Sequence, residues 1–403
     1  MNNLALLLIS NALASIGTGI AMIAVPWYLA SLPDGILLFS KSALYVNIFL
    51  FVLMPLVGPI VDNNSRKKLM IIIRLGFIFG LIVIFISIKT HPSPNNYYPL
   101  LGYYALGSLF YAINVPLRTA FVQELFSEHE YVRVNSILEI ENQIAAVLTG
   151  ALAVLAIKKY GMGVIVIMNI LLYMLALIAI ILIKYTQKEL NVRRLKFVSS
   201  LHEGIKIAKE YPYVSIVLMA CVIPYVVIIL YTVIHPIALS LMPNVGGESY
   251  ALLELLFGLG AIISGVFLLS DYPKKFTTTE LLIISMSSFL IITIVQLMIP
   301  SYWGFLIIAI AFGFSNSFVR VVRQSYLMEN IDNKRIGRIG TLLQSWIMFL
   351  RSTSLAILTY ILSEEGIIGA IALTVTISVI ALVTLFIALY MIRLKKIKSQ
   401  IST

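Results

Sequence analysis

The charged side chains that fall well inside long apolar stretches of this chain include Glu139, Glu141, Glu254 and Arg351. Placing an ionisable group inside a lipid bilayer costs about 2.5–3.5 kcal/mol even on lenient scales, so such a group needs a partner, water or a function. A carboxylate in a partly dehydrated cavity can take up and release protons. A guanidinium can bind a carboxylate through two charge-assisted hydrogen bonds. The candidate chemistry is therefore proton exchange and anion binding.

Neutral polar residues extend this candidate pathway. Glu139 is favoured over Glu141 as a proton carrier, because Asn142 lies three residues after Glu139 and shares its helix face. Gln143 and Gln344, which belong to corresponding helices of a repeat described below, are further candidates for lining a solute cavity. The alternative for both acids is that they pair with basic residues of the adjoining loops.

The elements that carry these residues follow from composition. Apolar residues make up 60% of the 403 residues and charged residues 12%, whereas a soluble domain would have roughly a quarter charged. A helix needs about 20 apolar residues to cross the hydrocarbon layer, and irregular backbone cannot face lipid. The sequence therefore predicts an all-α membrane protein with twelve transmembrane helices. The predicted spans are 4–31, 38–61, 68–88, 97–118, 133–157, 162–184, 213–240, 248–270, 277–299, 302–324, 336–362 and 367–393.

The distribution of basic residues predicts the orientation. With the N-terminus inside, the predicted inner loops and tail hold all but six of the 29 Lys and Arg residues. The six exceptions are Lys41, Lys89, Lys158, Lys159, Arg74 and Arg351. The positive-inside rule then places both termini in the cytoplasm. The long polar stretch after the sixth helix divides the chain into predicted six-helix bundles at 1–184 and 213–393, a cytoplasmic linker at 185–212 and a tail at 394–403.

An internal repeat relates the two bundles. Three polar residues recur at a constant offset of 202, at the end of a fourth helix and the start of a fifth. The matching sets are Asn114, Arg118 and Arg133 in the first half, and Asn316, Arg320 and Arg335 in the second. A weaker echo pairs Asp62 and Arg66 with Asp271 and Lys275. The repeat predicts two pseudo-symmetric bundles. In many transporters, two such bundles rock about a binding site near the middle of the membrane.

The loop after the second helix runs from Gly58 through Asp62 to Arg66 and Lys67. It resembles the corresponding loop of the major facilitator superfamily: a glycine, an acid four residues later, and a basic pair after another four. The resemblance implies that Gly58 allows close helix approach, while Asp62, Arg66 and Lys67 form a conformational latch that holds one state and opens in the other. Asn63 and Ser65 stand where that family usually has a basic residue and a glycine, which implies a weaker charge network.

A second stretch, from Pro116 to Leu138, is similar to the branch of this superfamily that includes macrolide efflux pumps and siderophore exporters. The resemblance implies export. Two features of related drug antiporters are missing here. Only Gly150 remains of a glycine-rich pattern in the fifth helix, and Thr18 lies near the position of an acid in the first. These departures argue against ordinary proton-coupled drug efflux.

Other activities lack the residues they need. No G-x-x-x-x-G-K-[ST] loop is present, and no nucleophile–base arrangement or metal-ligand spacing is found. The single cysteine, Cys221, can form no internal disulfide. The net charge of +11 comes from short loops between apolar runs, so it indicates topology and not nucleic-acid binding. We therefore expect no enzymatic activity, cofactor, metal site or nucleic-acid partner.

These observations together predict a secondary active transporter. Two six-helix bundles should expose a central cavity to either side alternately, in a protein that is monomeric and spans the plasma membrane of a bacterium. The expected function is export of a small organic molecule in exchange for protons. An anionic or zwitterionic metal chelator is favoured as the solute, because Arg351 is the best-placed central charge and carboxylates are few. The alternatives are multidrug or macrolide efflux, an uptake permease for a polar metabolite, and a membrane receptor or scaffold.

Overall fold

The computed structural model describes residues 2–30, 35–90, 97–185, 206, 209–240, 242, 248–299 and 301–401. These residues form α-helices joined by short turns, with no β-strand among them, so the all-α prediction is confirmed. The helices are α1 (Asn3–Ala30), α2 (Gly35–Asn63), α3 (Arg66–Thr90), α4 (Tyr98–Leu125), α5 (Tyr131–Leu182), α6 (Pro212–Ala220), α7 (Ile223–Ser240), α8 (Glu248–Leu269), α9 (Thr278–Met298), α10 (Tyr302–Asn330), α11 (Ile336–Glu364) and α12 (Gly366–Ile401).

Within the described ranges, eleven helical segments are long and apolar enough to cross a membrane. The predicted spans 133–157 and 162–184 lie on α5, which is interrupted by non-helical backbone at Gly161. The predicted span 213–240 consists of α6 and α7. These two helices meet at Cys221 and Val222, just before Pro224. Proline has no backbone N–H, so it cannot donate the hydrogen bond that a continuous helix would need there. Arg323 donates a hydrogen bond of 3.1 Å to the carbonyl of Cys221. The broken helix end is thus partly satisfied by a side chain.

The chain divides into two compact units. Each unit consists mainly of one half of the sequence but includes a short segment of the other half. Unit 1 comprises Met1–Ser127, Glu141–His202 and Asn333–Ser345. Unit 2 comprises Glu128–Ile140, Glu203–Asp332 and Trp346–Thr403. The first residues of α5 therefore pack in unit 2, and the first residues of α11 pack in unit 1. Most of the predicted 185–212 linker lies outside the described residues, and the predicted bundle boundaries remain a prediction.

The core of unit 1 combines apolar packing with buried polar bonds. Its hydrophobic cluster includes Leu81 and Tyr173, both fully buried. Arg74 is also fully buried, donates to the Ser10 hydroxyl at 3.1 Å, and lies over the Phe110 ring. Buried polar groups are costly unless they are hydrogen-bonded. Arg74 is therefore tied into the packing of α1, α3 and α4.

Unit 2 has its own core around Tyr231 and Phe312, to which Leu358 and Ile371 contribute from the last two helices. The Tyr231 hydroxyl lies 3.0 Å from the Thr374 hydroxyl, which itself donates to the Ile371 carbonyl at 2.6 Å. Tyr231 is therefore the donor in the bond to Thr374. This bond joins α7 to α12 and fixes one face of α7 within the unit.

Candidate functional site

Asp62 lies at the end of α2 and is buried, with 3% of its surface exposed. Its carboxylate accepts the backbone N–H of Gly337 at 2.6 Å and that of Arg338 at 3.1 Å. Both belong to the first turn of α11, where backbone N–H groups have no partner within the helix and the helix dipole favours a negative charge. The Arg338 side chain adds an ion pair at 3.8 Å. Asp62 thus binds the N-terminus of a helix 275 residues further along the chain.

Two glycines make this contact possible. A Cβ atom on Gly58 would lie 2.7 Å from the Arg338 Cα and 2.5 Å from the Thr341 hydroxyl. A Cβ atom on Gly337 would lie 2.5 Å from an Asp62 carboxylate oxygen. Any larger residue at either position would push α2 away from the start of α11. The lack of a Cβ at Gly58 therefore permits the close approach of α2 and the start of α11.

Arg66 lies beside Asp62 in unit 1 and is fully buried. Its guanidinium donates to the Asn333 carbonyl at 2.8 Å and forms an ion pair with Glu124 at 3.4 Å. Glu124 also accepts a hydrogen bond of 2.7 Å from the Tyr185 hydroxyl. Burial and the neighbouring carboxylate raise the pKa of Tyr185, so its phenol remains a donor at neutral pH. Arg66 therefore joins α3 and α4 to the segment that precedes α11.

Lys67 has a different position from the rest of the predicted latch. Its ammonium group donates to the carbonyls of Ile181 and Ile183, at 2.7 and 2.8 Å, at the end of α5. A cation at this end of a helix binds carbonyls that have no helical partner and complements the dipole. Within unit 1, Gly58, Asp62 and Arg66 gather around residues 333–338, whereas Lys67 caps α5.

Unit 2 contains a different polar contact, an ion pair between Glu139 and Arg320. The Glu139 side chain is 7% exposed and that of Arg320 is 26% exposed. Close by in sequence, the Asn135 amide donates to the Ser325 hydroxyl at 3.1 Å. Both contacts join the first turns of α5 to α10. This ion pair favours the alternative in which Glu139 has a structural role. Its partner, Arg320, is one of the residues of the predicted repeat.

The repeat-related residues have unequal environments. Asn316 is buried and Arg133 is exposed. Arg320, described above, and three other members of the two sets are half-buried. These three are Asn114, Arg118 and Arg335. At the offset of 202, Glu139 corresponds to Thr341, whose hydroxyl donates to the Arg338 carbonyl at 3.1 Å. The sequence repeat therefore places similar helices, but the polar contacts made by each are different.

The other predicted pathway residues fall in both units. In unit 1, Asn142 is half-buried, and Gln143 and Gln344 are buried. In unit 2, Glu254 and Arg351 are exposed. Glu254 and Arg351 therefore lie at the surface of the described structure, whereas the two glutamines do not.

Arg351 lies on the inner face of α11. Leu355 and Leu358 follow it by four and seven residues, so all three share one side of the helix. Leu358 is buried in the core of unit 2 and Leu355 packs against that core. Arg351 has no ion-pair partner in the part of the chain that the structure describes. Arg351 is thus an exposed guanidinium on the same side of α11 as residues of the unit 2 core.

Asp271, the weaker echo of Asp62, is in a different situation. It is exposed and pairs with Lys274, three residues on, at 2.6 Å. The hydrogen bond from Lys274 lowers the pKa of Asp271. Lys275, the predicted echo of Arg66, lies over the Tyr272 ring. This loop contacts no helix N-terminus through Asp271 in the described structure.

Sequence reasoning missed five residues of the unit 1 cluster: Glu124, Tyr185, Asn333, Gly337 and Arg338. Glu124 gave a usable signal, since it is an acid at the inner end of a predicted span. Gly337 and Arg338 lie two and three residues after the repeat residue Arg335, but no sequence pattern indicated that either would contact Asp62. Among the described residues, no group of three or more His, Cys, Asp and Glu side chains could hold a metal ion.

The geometry above can be set beside known proteins. Residues 7–354 match the Major Facilitator Superfamily. The chain belongs to this superfamily. It is therefore a multi-pass membrane protein that transports a small-molecule substrate, and it is not an enzyme. The predicted membership of this superfamily is confirmed, whereas the macrolide and siderophore branch remains a prediction. No curated protein sequence is detectably similar to the chain.

Solved structures share the fold at low sequence identity. A bacterial homologue of the iron transporter ferroportin, in an outward-facing state, has a TM-score of 0.78 and 14% identity, covering 96% of this chain and 99% of its own. The human organic anion transporter MFSD10 has a TM-score of 0.73 and 12% identity, covering 95% and 98%. The fucose:proton symporter FucP of E. coli, solved as a variant with one substitution, has a TM-score of 0.74 and 12% identity, covering 96% and 98%. These likenesses establish the fold and leave the substrate open.

Proposed function

We propose that this protein is a secondary active exporter of a small anionic or zwitterionic organic solute, such as a carboxylate-bearing metal chelator. The observation that carries the choice of solute is Arg351, an exposed arginine on the inner face of a membrane-spanning helix. Its planar guanidinium matches a carboxylate in a way that a lysine or an amide cannot. An unpaired cation at this position is better explained by an anionic ligand than by packing.

The contact between Asp62 and α11 supports a transport cycle. Two backbone N–H groups and one guanidinium hold the carboxylate, and all three bonds can break without unfolding either helix. A transporter needs two states of similar free energy, separated by contacts of this modest strength. Gly58, Asp62 and Arg66 therefore form the conformational latch in our proposal, and Lys67 supports it by capping α5.

The fold relatives are compatible with such a solute. One is a homologue of an iron transporter and another transports organic anions. A carboxylate chelator combines both kinds of chemistry. Sequence identities of 12–14% do not transfer either substrate to this chain, so these likenesses support the proposal only through the fold.

Direction and coupling complete the proposal. Export follows the resemblance of residues 116–138 to exporters, and protons are the proposed driving ion. Both termini are cytoplasmic in a bacterial plasma membrane, and the protein works as a monomer. Cysteines introduced at Ser199 and Ser399 should resist labelling by a membrane-impermeant reagent outside intact cells. Labelling at either site would reverse the orientation.

Two other functions have specific support. Multidrug or macrolide efflux follows from the same branch resemblance. Uptake of a polar metabolite is compatible with the likeness to a fucose:proton symporter. The direction of flux in inside-out vesicles separates uptake from export, since an exporter fills such vesicles.

The experiment that tests the proposed function measures chelators inside and outside cells that lack the transporter. Deletion should cause an anionic chelator to accumulate inside, and the wild-type gene should restore its secretion. Arg351→Gln should not restore secretion, because glutamine has no charge and cannot form the paired bonds of a guanidinium. Arg351→Lys, which keeps only the charge, should restore it in part. Lys209→Gln removes an exposed charge near the start of α6 and serves as the matched control.

Unchanged chelator secretion in the deletion strain would exclude this solute and favour drug efflux. Full secretion by Arg351→Gln would leave chelator export standing but remove Arg351 from its binding site. Loss of secretion with Lys209→Gln as well would show that the assay reports charge or expression and not the solute site.

A further inference from the structure

The end of α5 is bound at several points to other elements of unit 1. The Lys67 ammonium group donates to the carbonyls of Ile181 and Ile183, as described above. The Asn3 side chain forms two hydrogen bonds with the backbone of Lys184: it donates to the carbonyl at 2.8 Å and accepts the N–H at 3.1 Å. Carbonyls at the C-terminal end of a helix have no partner within it, so bonds of this kind fix where the chain leaves the helix. The residues that follow α5 therefore start from a fixed position in unit 1.

Tyr185, the first residue of the predicted linker, makes the next contacts. Its ring packs against the fully buried ring of Phe121, with centroids 5.5 Å apart. Its hydroxyl donates to Glu124 Oε2 at 2.7 Å and also forms a hydrogen bond with the Ser65 hydroxyl. Because a phenol has one proton and Glu124 receives it, Ser65 is the donor in the second bond. One apolar contact and two polar contacts therefore hold the Tyr185 side chain.

Ser65 is one of the two residues at which the Gly58–Lys67 loop departs from the pattern of the superfamily. It is 7% exposed and directly precedes α3. Its hydroxyl accepts the backbone N–H of Lys68 in a long bond of 3.5 Å, which leaves its own proton for Tyr185. A glycine here would have no hydroxyl to offer. The departure from the pattern therefore creates a contact between the loop and the start of the linker.

Glu124 divides its two carboxylate oxygens between Tyr185 and Arg66. Its Oε1 atom pairs with the Arg66 guanidinium at 3.4 Å, while its Oε2 atom accepts the Tyr185 hydroxyl. The Glu124 side chain is 2% exposed, and a carboxylate this deeply buried is costly unless its oxygens have partners. Arg66 in turn donates to the Asn333 carbonyl at 2.8 Å. A continuous chain of polar contacts thus leads from Tyr185 to the segment that precedes α11.

We propose that Tyr185 is a positioning residue of the latch, and that it couples the start of the linker to the Arg66 guanidinium through Glu124. This role rests on the latch proposed above. Tyr185 holds Glu124 in place, and Glu124 keeps Arg66 directed at the Asn333 carbonyl. When the linker draws Tyr185 away from Ser65, Glu124 loses a hydrogen bond and Arg66 is held less firmly, so the latch opens more readily. The position of the linker therefore shifts the balance between the closed and the open latch.

Hydrogen exchange reads the latch directly and needs no solute. The backbone N–H groups of Gly337 and Arg338 donate to Asp62, so they exchange with solvent when the latch opens. The measurement uses the full-length protein in lipid nanodiscs, with mass spectrometry of peptides from residues 333–345. Asp62→Asn removes the acceptor charge and should raise the exchange rate of these amides. This variant calibrates the response to a weakened latch.

Tyr185→Phe is the decisive variant, because it keeps the ring against Phe121 and removes only the hydroxyl. We expect exchange in residues 333–345 to become about 3–10-fold faster, as befits the loss of one hydrogen bond to a charged group. Peptides from residues 105–117 of α4 should be unchanged, whereas a general loss of stability would speed their exchange as well. Tyr98→Phe makes the same change at an exposed tyrosine of unit 1 and is the matched control.

Ser65→Gly tests the chain of contacts one step further back. It removes the hydroxyl, while glycine is tolerated before a helix at little cost. On its own it should speed exchange in residues 333–345 by less than Tyr185→Phe does. Added to Tyr185→Phe it should have no further effect, because both substitutions break the same chain. Effects that multiply in the double variant would show that Ser65 acts separately, which contradicts the proposed coupling.

Unchanged exchange in Tyr185→Phe, under conditions where Asp62→Asn speeds it, would overturn the role of Tyr185. Equal acceleration in the α4 peptides would overturn it too, by showing general destabilisation. If neither Tyr185→Phe nor Asp62→Asn alters exchange, the latch and the coupling fall together. If Tyr185→Phe speeds exchange as expected but the deletion strain secretes chelators normally, the proposed solute fails and the coupling stands.

Discussion

Asp62 and Asp271 occupy related loops of the two halves and have opposite surroundings. Asp62 is buried and binds two backbone N–H groups at the start of α11. Asp271 is exposed and binds a lysine of its own turn. The same type of residue, at related positions of a repeat, is a helix-binding group in one half and a solvated side chain in the other. The repeat thus conserves helix placement without conserving polar contacts.

Unit 2 reaches a similar end by other means. The first turns of α5 are joined to α10 by the Glu139–Arg320 ion pair and by the bond from Asn135 to Ser325. Unit 1 instead uses a carboxylate on a helix N-terminus, with a glycine on either side of the contact. An ion pair between side chains depends on the two charges, whereas the Asp62 contact also depends on backbone geometry. We therefore expect the two clusters to respond differently to substitution.

The largest effect is expected from Asp62→Asn. The amide can accept one backbone N–H but presents its own donor to the other, and the favourable charge at the helix N-terminus is lost. A change of about 1–3 kcal/mol between two states alters their ratio about 5–150-fold, so turnover should fall within that range while expression survives. Flux of the identified solute in proteoliposomes measures the effect.

The matched control for that experiment is Asp271→Asn, the same substitution in the related loop. Near-normal flux of Asp271→Asn together with reduced flux of Asp62→Asn would sharpen the contrast between the loops. Wild-type flux in well-expressed Asp62→Asn protein would contradict a gating role for Asp62.

A smaller effect is expected from the ion pair of unit 2. Breaking a fully buried pair costs about 3–5 kcal/mol and an exposed pair less than about 1 kcal/mol. Because the Arg320 side chain is 26% exposed, we expect Glu139→Gln to reduce stability by about 1–2 kcal/mol. The double variant Glu139→Gln/Arg320→Gln should recover part of that loss, as read from thermal unfolding of purified protein. If the double variant loses as much stability as the sum of the losses in the two single variants, Glu139 and Arg320 are not coupled.

The smallest effect is expected from the Asp271 loop. Its pKa is lowered by the hydrogen bond from Lys274, so any stabilisation is present above the ordinary value of 3.8 and is lost as pH falls through the lowered value. The pair is exposed, and Asp271→Asn should leave flux at pH 7 within about twofold of wild type. Only the acid limb of a stability profile, below the ordinary pKa of the carboxyl, should differ. A large loss of flux at pH 7 would mean that this loop gates transport as Asp62 is proposed to do.

Particular residues show how far sequence reasoning reached. The Gly58–Lys67 loop was predicted because its spacing is a local pattern, and Gly58 and Asp62 do lie at a close helix contact. The same pattern grouped Lys67 with Asp62, but Lys67 caps the distant end of α5. Glu139 was favoured as a proton carrier because it shares a helix face with Asn142. The sequence of one helix does not show which residue of another helix lies opposite, and here that residue is Arg320.

By itself, the sequence determined that the chain is helical, that it spans a membrane many times and that its two halves share a plan. Each of these depends on the apolar content of about 20 consecutive residues or on a fixed offset, which are local properties. The tertiary structure alone decided that Asp62 binds the start of α11 and that Glu139 meets Arg320. Burial and pairing arise between residues as far apart as Asp62 and Arg338, which are separated by 276 positions, and no local pattern encodes which partner a buried charge will find.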